Sequence, residues 1–240
     1  MKKIILSIIL MFTVIITNAQ IATVGKLAVS AKSVVRDSMG MAYTPAKWIS
    51  MLRSGDYSLL PFNPDNKDTE YLLVKLNEEQ INERMSRMSK PEDSPFFKTG
   101  KAIKPIDMHD VYHYRIDASQ WTGKTVVLNF WFIACAPCRA EMPQLNKLVQ
   151  KYKNDPNVIF IGIALDPSDD DIKDFVKTNP FSYRLVSDGR EFAQLFKINT
   201  FPTNVVIDKT GKVRLHYVGM AINGPYWIDK TIQQSEKATL

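Results

Sequence analysis

Apolar positions in this chain recur with two periods, and the change from one to the other marks out its elements. The run Val126–Phe132, VVLNFWF, is short, β-branched and aromatic and follows the turn-like Thr122-Gly123-Lys124, so it predicts a buried strand. Beyond it Met142, Leu145, Leu148 and Val149 fall at helical spacing, which predicts a helix with that face buried and a kink at Pro143. Val158–Leu165 reads as a second, parallel strand, Tyr183–Val186 as a short one and Glu191–Phe196 as a short helix. Ser168 followed by Asp169–Asp171 predicts a capped, acidic first turn for a helix through Val176. Asn204–Ile207 and Val213–Val218 predict a hairpin around Asp208-Lys209-Thr210-Gly211, whose glycine suits a turn of positive φ. A last helix around Trp227 and Ile228 would cover the sheet. Strands and helices that alternate in this way predict a mixed α/β layer fold.

Upstream the pattern is that of folded chain without a motif tied to chemistry. Thr44 and Pro45 open a predicted helix carrying Trp48, Ile49, Met51 and Leu52, and Ser54-Gly55 closes it. Tyr57–Phe62 and Tyr71–Leu76 predict strands separated by the turn-rich Asn63-Pro64-Asp65-Asn66, and Asn77 predicts a cap for a charged helix through Met88. Pro91–Ile106, dense in proline and glycine, predicts a linker, and Val111–Ile116 alternates as a strand that would pair at the edge of the sheet. The organisation expected is residues 1–19 as a signal peptide, 20–94 as an N-terminal region of unknown role, and 95–240 as the main domain with its lead-in linker.

The chain of 240 residues is 45% hydrophobic, enough for one or two domains with a proper core. Lys2-Lys3, the apolar stretch Ile4–Ile16 and the small-residue junction Thr17-Asn18-Ala19 predict export, periplasmic or otherwise, with cleavage near Ala19 and membrane anchoring if the segment stays uncleaved. The net charge of +6 includes those two lysines and shows no clustered basic run, so nucleic-acid binding is not expected.

The two cysteines of the chain, Cys135 and Cys138, follow the predicted central strand. At the mouth of the next helix, unpaired amides and the helix dipole favour an anion, which makes Cys135 the attacking thiol. One turn further, Cys138 can close a small ring with it and is the resolving thiol, while Pro137 stiffens the turn without losing a needed N–H. The chemistry that follows is thiol–disulfide exchange. A structural bridge closing so short a loop would stabilise little, and no second CxxC or paired histidines exist to complete a zinc site. His109, His113 and His216 do not group at metal-ligand spacing and are expected on the surface or in packing, so no metal and no cofactor is expected.

The stretch LNFWFIACAPCRAEMPQLNKL, together with Thr200-Phe201-Pro202-Thr203, resembles the TlpA/ResA-like family of exported thiol–disulfide oxidoreductases. The resemblance implies a thioredoxin-like three-layer fold with a mixed central sheet, here preceded by a smaller N-terminal α+β region. It implies a cis-proline loop at Phe201 and Pro202 that faces the cysteines and binds substrate backbone, with Trp131 among the substrate-facing residues. Glu141, one turn beyond Cys138, matches the glutamate that the family is thought to use near the buried thiol, and a carboxylate there could accept the Cys138 proton if burial raises its pKa. Asn129 stands where many thioredoxins bury an acid. Ala134 and Ala136 depart from the tryptophan and glutamate that family members often carry there, which leaves the redox potential open.

The function expected is therefore an exported protein-disulfide oxidoreductase acting through Cys135, Cys138 and Glu141, more a reductase than an oxidase, a direction that rests on the resemblance alone. Its partners would be exported proteins with disulfides and a membrane thiol electron donor, since a dithiol in an oxidising compartment stays reduced only if electrons are supplied. The competing readings are a Cu(I)-binding or metal-delivery protein, because soft thiolates suit Cu(I), and a non-catalytic redox-sensing module.

Overall fold

A computed structural model of the chain describes residues 29–30, 32–62 and 70–237. The signal segment and the turn expected at Asn63–Asn66 lie outside the described residues. The chain divides into two compact units, one of residues up to Trp48 with Leu59–Val74, the other of Ile49–Ser58 and Lys75 onward.

The N-terminal α+β region contains β1 (Val34–Arg36), β2 (Ala42–Tyr43), α1 (Pro45–Arg53), β3 (Tyr57–Pro61), β4 (Glu70–Lys75) and α2 (Glu78–Arg87). Its strands form one sheet in the order β2-β1-β4-β3, with β1 antiparallel to β2 and parallel to β4. α2 begins where Asn77 predicts it. The Asn77 side chain accepts the Gln80 N–H at 2.9 Å while the Gln80 side chain accepts the Asn77 N–H at 3.0 Å, a reciprocal cap that satisfies two donors the helix cannot.

The main domain is built on β7 (Thr125–Trp131), which is buried along its whole length. After the small hairpin β5 (Met108–His109) and β6 (Arg115–Ile116), the order is β7, α3 (Ala136–Lys151), β8 (Val158–Ala164), α4 (Asp169–Thr178), β9 (Arg184–Val186), α5 (Arg190–Leu195), β10 (Thr203–Ile207), β11 (Val213–Val218) and α6 (Gly224–Lys237). The sheet runs β11-β10-β7-β8-β9, with β7, β8 and β9 parallel and β10 antiparallel to both neighbours. This is the thioredoxin-like α/β fold with a mixed central sheet. Val126, Leu128 and Phe130 face one core and Val127 and Trp131 the other, which is why β7 reads as a nearly continuous apolar run.

α3 contains Pro143 and runs on to Lys151. Two expectations change. Val111–Ile116 is not one strand: Asp110 Oδ1 accepts the N–H groups of Tyr112 and Tyr114, both at 3.0 Å, and His113 takes φ 66°. That side-chain turn competes successfully with extension, so only Arg115 and Ile116 remain strand, paired with Met108–His109. Pro91–Ile106 is laid along β11 and is no free linker: Ser94 N–H donates to His216 O at 3.4 Å, Gly100 N–H to Val213 O at 2.8 Å and Ile103 N–H to Gly211 O at 2.9 Å. Buried His216 joins in through its ring nitrogens, 3.2 Å from the Ser94 hydroxyl and 3.3 Å from that of Thr99. His109 and His113 are exposed.

Candidate functional site

Cys135 is the cap of α3. Its sulfur accepts the Cys138 N–H at 3.2 Å, so a sulfur atom occupies the place where a capping oxygen usually satisfies the first free amides. The two cysteines are joined as a disulfide with Cα atoms 5.3 Å apart. Both sulfur-bearing residues are buried, while Ala134, Ala136 and Pro137 around them are exposed. Pro137 lies in the first turn, where its missing N–H breaks no helical bond.

The proline loop meets this turn from the opposite strand. Thr203 pairs with Phe130 in the β10–β7 ladder, which brings Phe201 and Pro202 beside the end of β7. The Phe201–Pro202 peptide bond is cis, and the half-buried Phe201 ring stands edge-on to Phe132 with centroids 5.6 Å apart. Thr203 Oγ1 donates to Thr200 O at 2.7 Å, and Gly219 N–H donates to Pro202 O at 2.8 Å, so the loop is tied on both sides. Trp131 is placed differently. Its ring is fully buried, edge-on to Phe181 and tilted against Phe175, with no face turned to solvent.

Three residues beyond Cys138 in α3 stands a buried carboxyl. Glu141 is 4% exposed, although an acid early in a helix ordinarily lies in water. Asn129 Nδ2 donates to its Oε1 at 2.7 Å, and Asn204 Nδ2 lies 3.2 Å from Oε1 and 3.4 Å from Oε2. Asn129 also donates to Asn204 Oδ1 at 2.9 Å, which closes the group. Burial pushes the Glu141 carboxyl up from 4.5 to about 8, opposed by the Asn204 and Asn129 donors, which favour the charged form. Asn204 was not among the residues picked out from the sequence. Its one signal is a polar residue at a buried strand position, and its meaning comes from register, since Asn204 stands directly opposite Asn129.

No group of three or more His, Cys, Asp or Glu side chains is placed to hold a metal ion among the described residues. The arrangement can close and open a disulfide at a helix mouth, with a protonatable group one helical turn below the second sulfur.

Residues 99–216 match the AhpC/TSA family. The thiol-disulfide oxidoreductase ResA of Bacillus thuringiensis subsp. konkukian is 36% identical over 115 residues, which are 48% of this chain and 66% of that protein. The match thus spans just under two thirds of that relative's length. ResA of Bacillus anthracis is 32% identical over 128 residues, 53% of this chain and 73% of the relative. The chain belongs to the ResA-related thiol-disulfide oxidoreductases. A crystal structure described as a thiol:disulfide interchange protein DsbE of Chlorobium tepidum superposes with a TM-score of 0.52 at 25% identity, over 58% of this chain and 98% of that one. Among ResA-related proteins of this fold, the paired cysteines of the chain are thus a disulfide-forming pair on the expected helix.

Proposed function

We propose that this chain is an exported thiol–disulfide oxidoreductase that reduces disulfides in exported proteins. The observation that carries the reading is the Cys135 sulfur held at the mouth of α3, where it already accepts a main-chain N–H. A thiolate formed there would keep that donor and gain the helix dipole, so it is the anion the site stabilises.

In the reduced form, the Cys135 thiolate attacks a substrate disulfide. A mixed disulfide forms, and the first substrate sulfur leaves as a thiolate and takes a proton. Glu141 in its ionised form accepts the Cys138 proton, and the Cys138 thiolate attacks the Cys135 sulfur. The second substrate sulfur then leaves, and two electrons have passed from the protein to the substrate. A membrane thiol electron donor would restore the dithiol. Phe201 and Pro202, in the loop before β10 and beside Phe132, are the residues against which the substrate backbone would lie. Trp131 is left out of that set because its ring is buried.

Export rests on the basic and apolar start of the sequence, with cleavage near Ala19. No helix among the described residues is long and apolar enough to cross a membrane. The Cu(I) alternative is disfavoured, since no group of three or more His, Cys, Asp or Glu is placed to hold a metal among the described residues.

A Cys138→Ser chain should accumulate mixed disulfides through Cys135 when mixed with exported protein, and recovery of none would sink the exchange mechanism. Direction is read from the reduction potential of the pair. A value near about −270 mV supports a reductant, and one near about −120 mV makes the protein a disulfide donor, a difference on the order of 7 kcal/mol.

A further inference from the structure

β7 ends at Trp131 and α3 begins at Ala136, so the residues between them have neither a strand ladder nor a helix to satisfy their amides. The Cys135 N–H turns back to Phe132 O at 3.0 Å. The Ile133 N–H instead leaves the segment and donates to Oδ2 of Asp166 at 2.8 Å. Asp166 lies just past the end of β8 and is itself braced. Leu165 N–H donates to Trp131 O at 3.0 Å, Asp188 N–H to Asp166 O at 2.8 Å and Gly189 N–H to Ala164 O at 2.7 Å. The last approach is so close that a Cβ on Gly189 would stand 2.9 Å from Ala164 O, so this corner accepts only glycine. A carboxylate presented from such a corner to a main-chain donor makes the stronger, charge-assisted kind of hydrogen bond.

Resting on the oxidoreductase reading above, we propose that Asp166 is a positioning residue for disulfide exchange: its carboxylate clamps the Ile133 amide and so fixes the Phe132–Ala134 loop that presents Cys135. The need for such a clamp is greatest in the reduced protein. Once the Cys135–Cys138 bond is open, the covalent tie between the loop and the first turn of α3 is gone, and non-covalent contacts must hold the nucleophile in line. Asp166 acts through Ile133 and has no hydrogen bond to either cysteine.

The test uses the full chain as wild type, Asp166→Ala and Asp166→Asn. Asp166 is half-buried and outside both cores, so both variants are expected to fold, and a thermal midpoint checks this. Alanine removes the acceptor. Asparagine removes the charge but keeps an oxygen that can accept. Hydrogen exchange at the Ile133 amide in the reduced protein, and the rate of disulfide exchange with a model protein disulfide, are measured side by side. In Asp166→Ala the amide should exchange at least roughly tenfold faster and the reaction should slow by roughly tenfold or more. Asp166→Asn should return both toward wild type. The proposal is overturned if Asp166→Ala reacts at the wild-type rate, or if Asp166→Asn is as slow as Asp166→Ala while its Ile133 amide stays protected, which would assign the effect to charge. A wild-type chain that exchanges no disulfides overturns the oxidoreductase reading itself and the clamp's role in it. An active wild type with an indifferent Asp166→Ala overturns the clamp alone.

Discussion

Asn129 in β7 donates to the buried Glu141 in α3 at 2.7 Å, so the centre of the sheet and the cysteine-bearing helix are joined by a hydrogen bond to a titratable group. Desolvation opposes the charged form of Glu141, and the two asparagine amides favour it. The balance places the carboxyl near 8, within the range where it can both give and take a proton.

The Glu141 pKa makes stability depend on pH with a definite sign. The folded value, about 8, lies above the ordinary 4.5, so between them the folded protein holds a proton that the unfolded chain has lost. The stabilisation is complete below about 4.5 and disappears as pH rises through about 8, an effect of up to about 5 kcal/mol at 1.36 kcal/mol per unit. Urea denaturation of wild type and Glu141→Gln at pH 5 and pH 9 should show the wild type losing stability over this interval and the variant losing far less. In disulfide exchange, Glu141→Gln should also lose the inflection near pH 8.

Asn204→Ala removes one of the two side chains that donate to Glu141. The carboxyl should then titrate higher than in wild type, and the pH profile of exchange should move in the alkaline direction. Loss of the buried bonds should cost about 1–3 kcal/mol in denaturant unfolding. A profile unmoved by this change would mean that Asn204 does not act on the carboxyl.

The Tyr217 hydroxyl is buried and has no hydrogen-bond partner among the described residues, while the Gly224 backbone packs directly against it. Tyr217→Phe should therefore be neutral or stabilising by up to about 1 kcal/mol. Gly224→Ala drives a methyl group into the Tyr217 ring and hydroxyl and should cost about 1–3 kcal/mol. The cost should be smaller in the Tyr217→Phe background, and thermal melts of the four proteins measure that coupling.

Asn77→Ala breaks the reciprocal cap of α2 and should cost about 1 kcal/mol without altering the reduction potential of the cysteine pair. Parallel melts and redox titrations check both halves of the expectation.

The parts of this fold that were legible in the sequence are those fixed by local pattern. The β7 run, the Asn77 cap and the β10–β11 hairpin each lie within one or two residues of their expected bounds, and a helix follows the cysteines with the expected face buried. What was not legible depends on side chains meeting across the chain. Tyr112, His113 and Tyr114 alternate as a strand does, but the Asp110 carboxylate folds them into a turn. The prolines of the lead-in segment suggest free chain, yet its amides find β11. Asn204 offers only a polar residue at a buried strand position, and Asp166 carries no local signal. One gains its meaning from the β10–β7 register and the other from a loop that β8 happens to reach.

The lead-in segment along β11 also closes one edge of this sheet. An open rim invites an extended chain to add itself as one more strand, which is how sheets nucleate aggregates. Here the β11 rim is occupied by the chain's own Ser94, Gly100, Lys101 and Ile103, and the opposite rim, three-residue β9, gives its Leu185 carbonyl to the Val111 amide. With both rims engaged by the chain's own main-chain groups, the sheet offers neither flank as a free edge for strand addition.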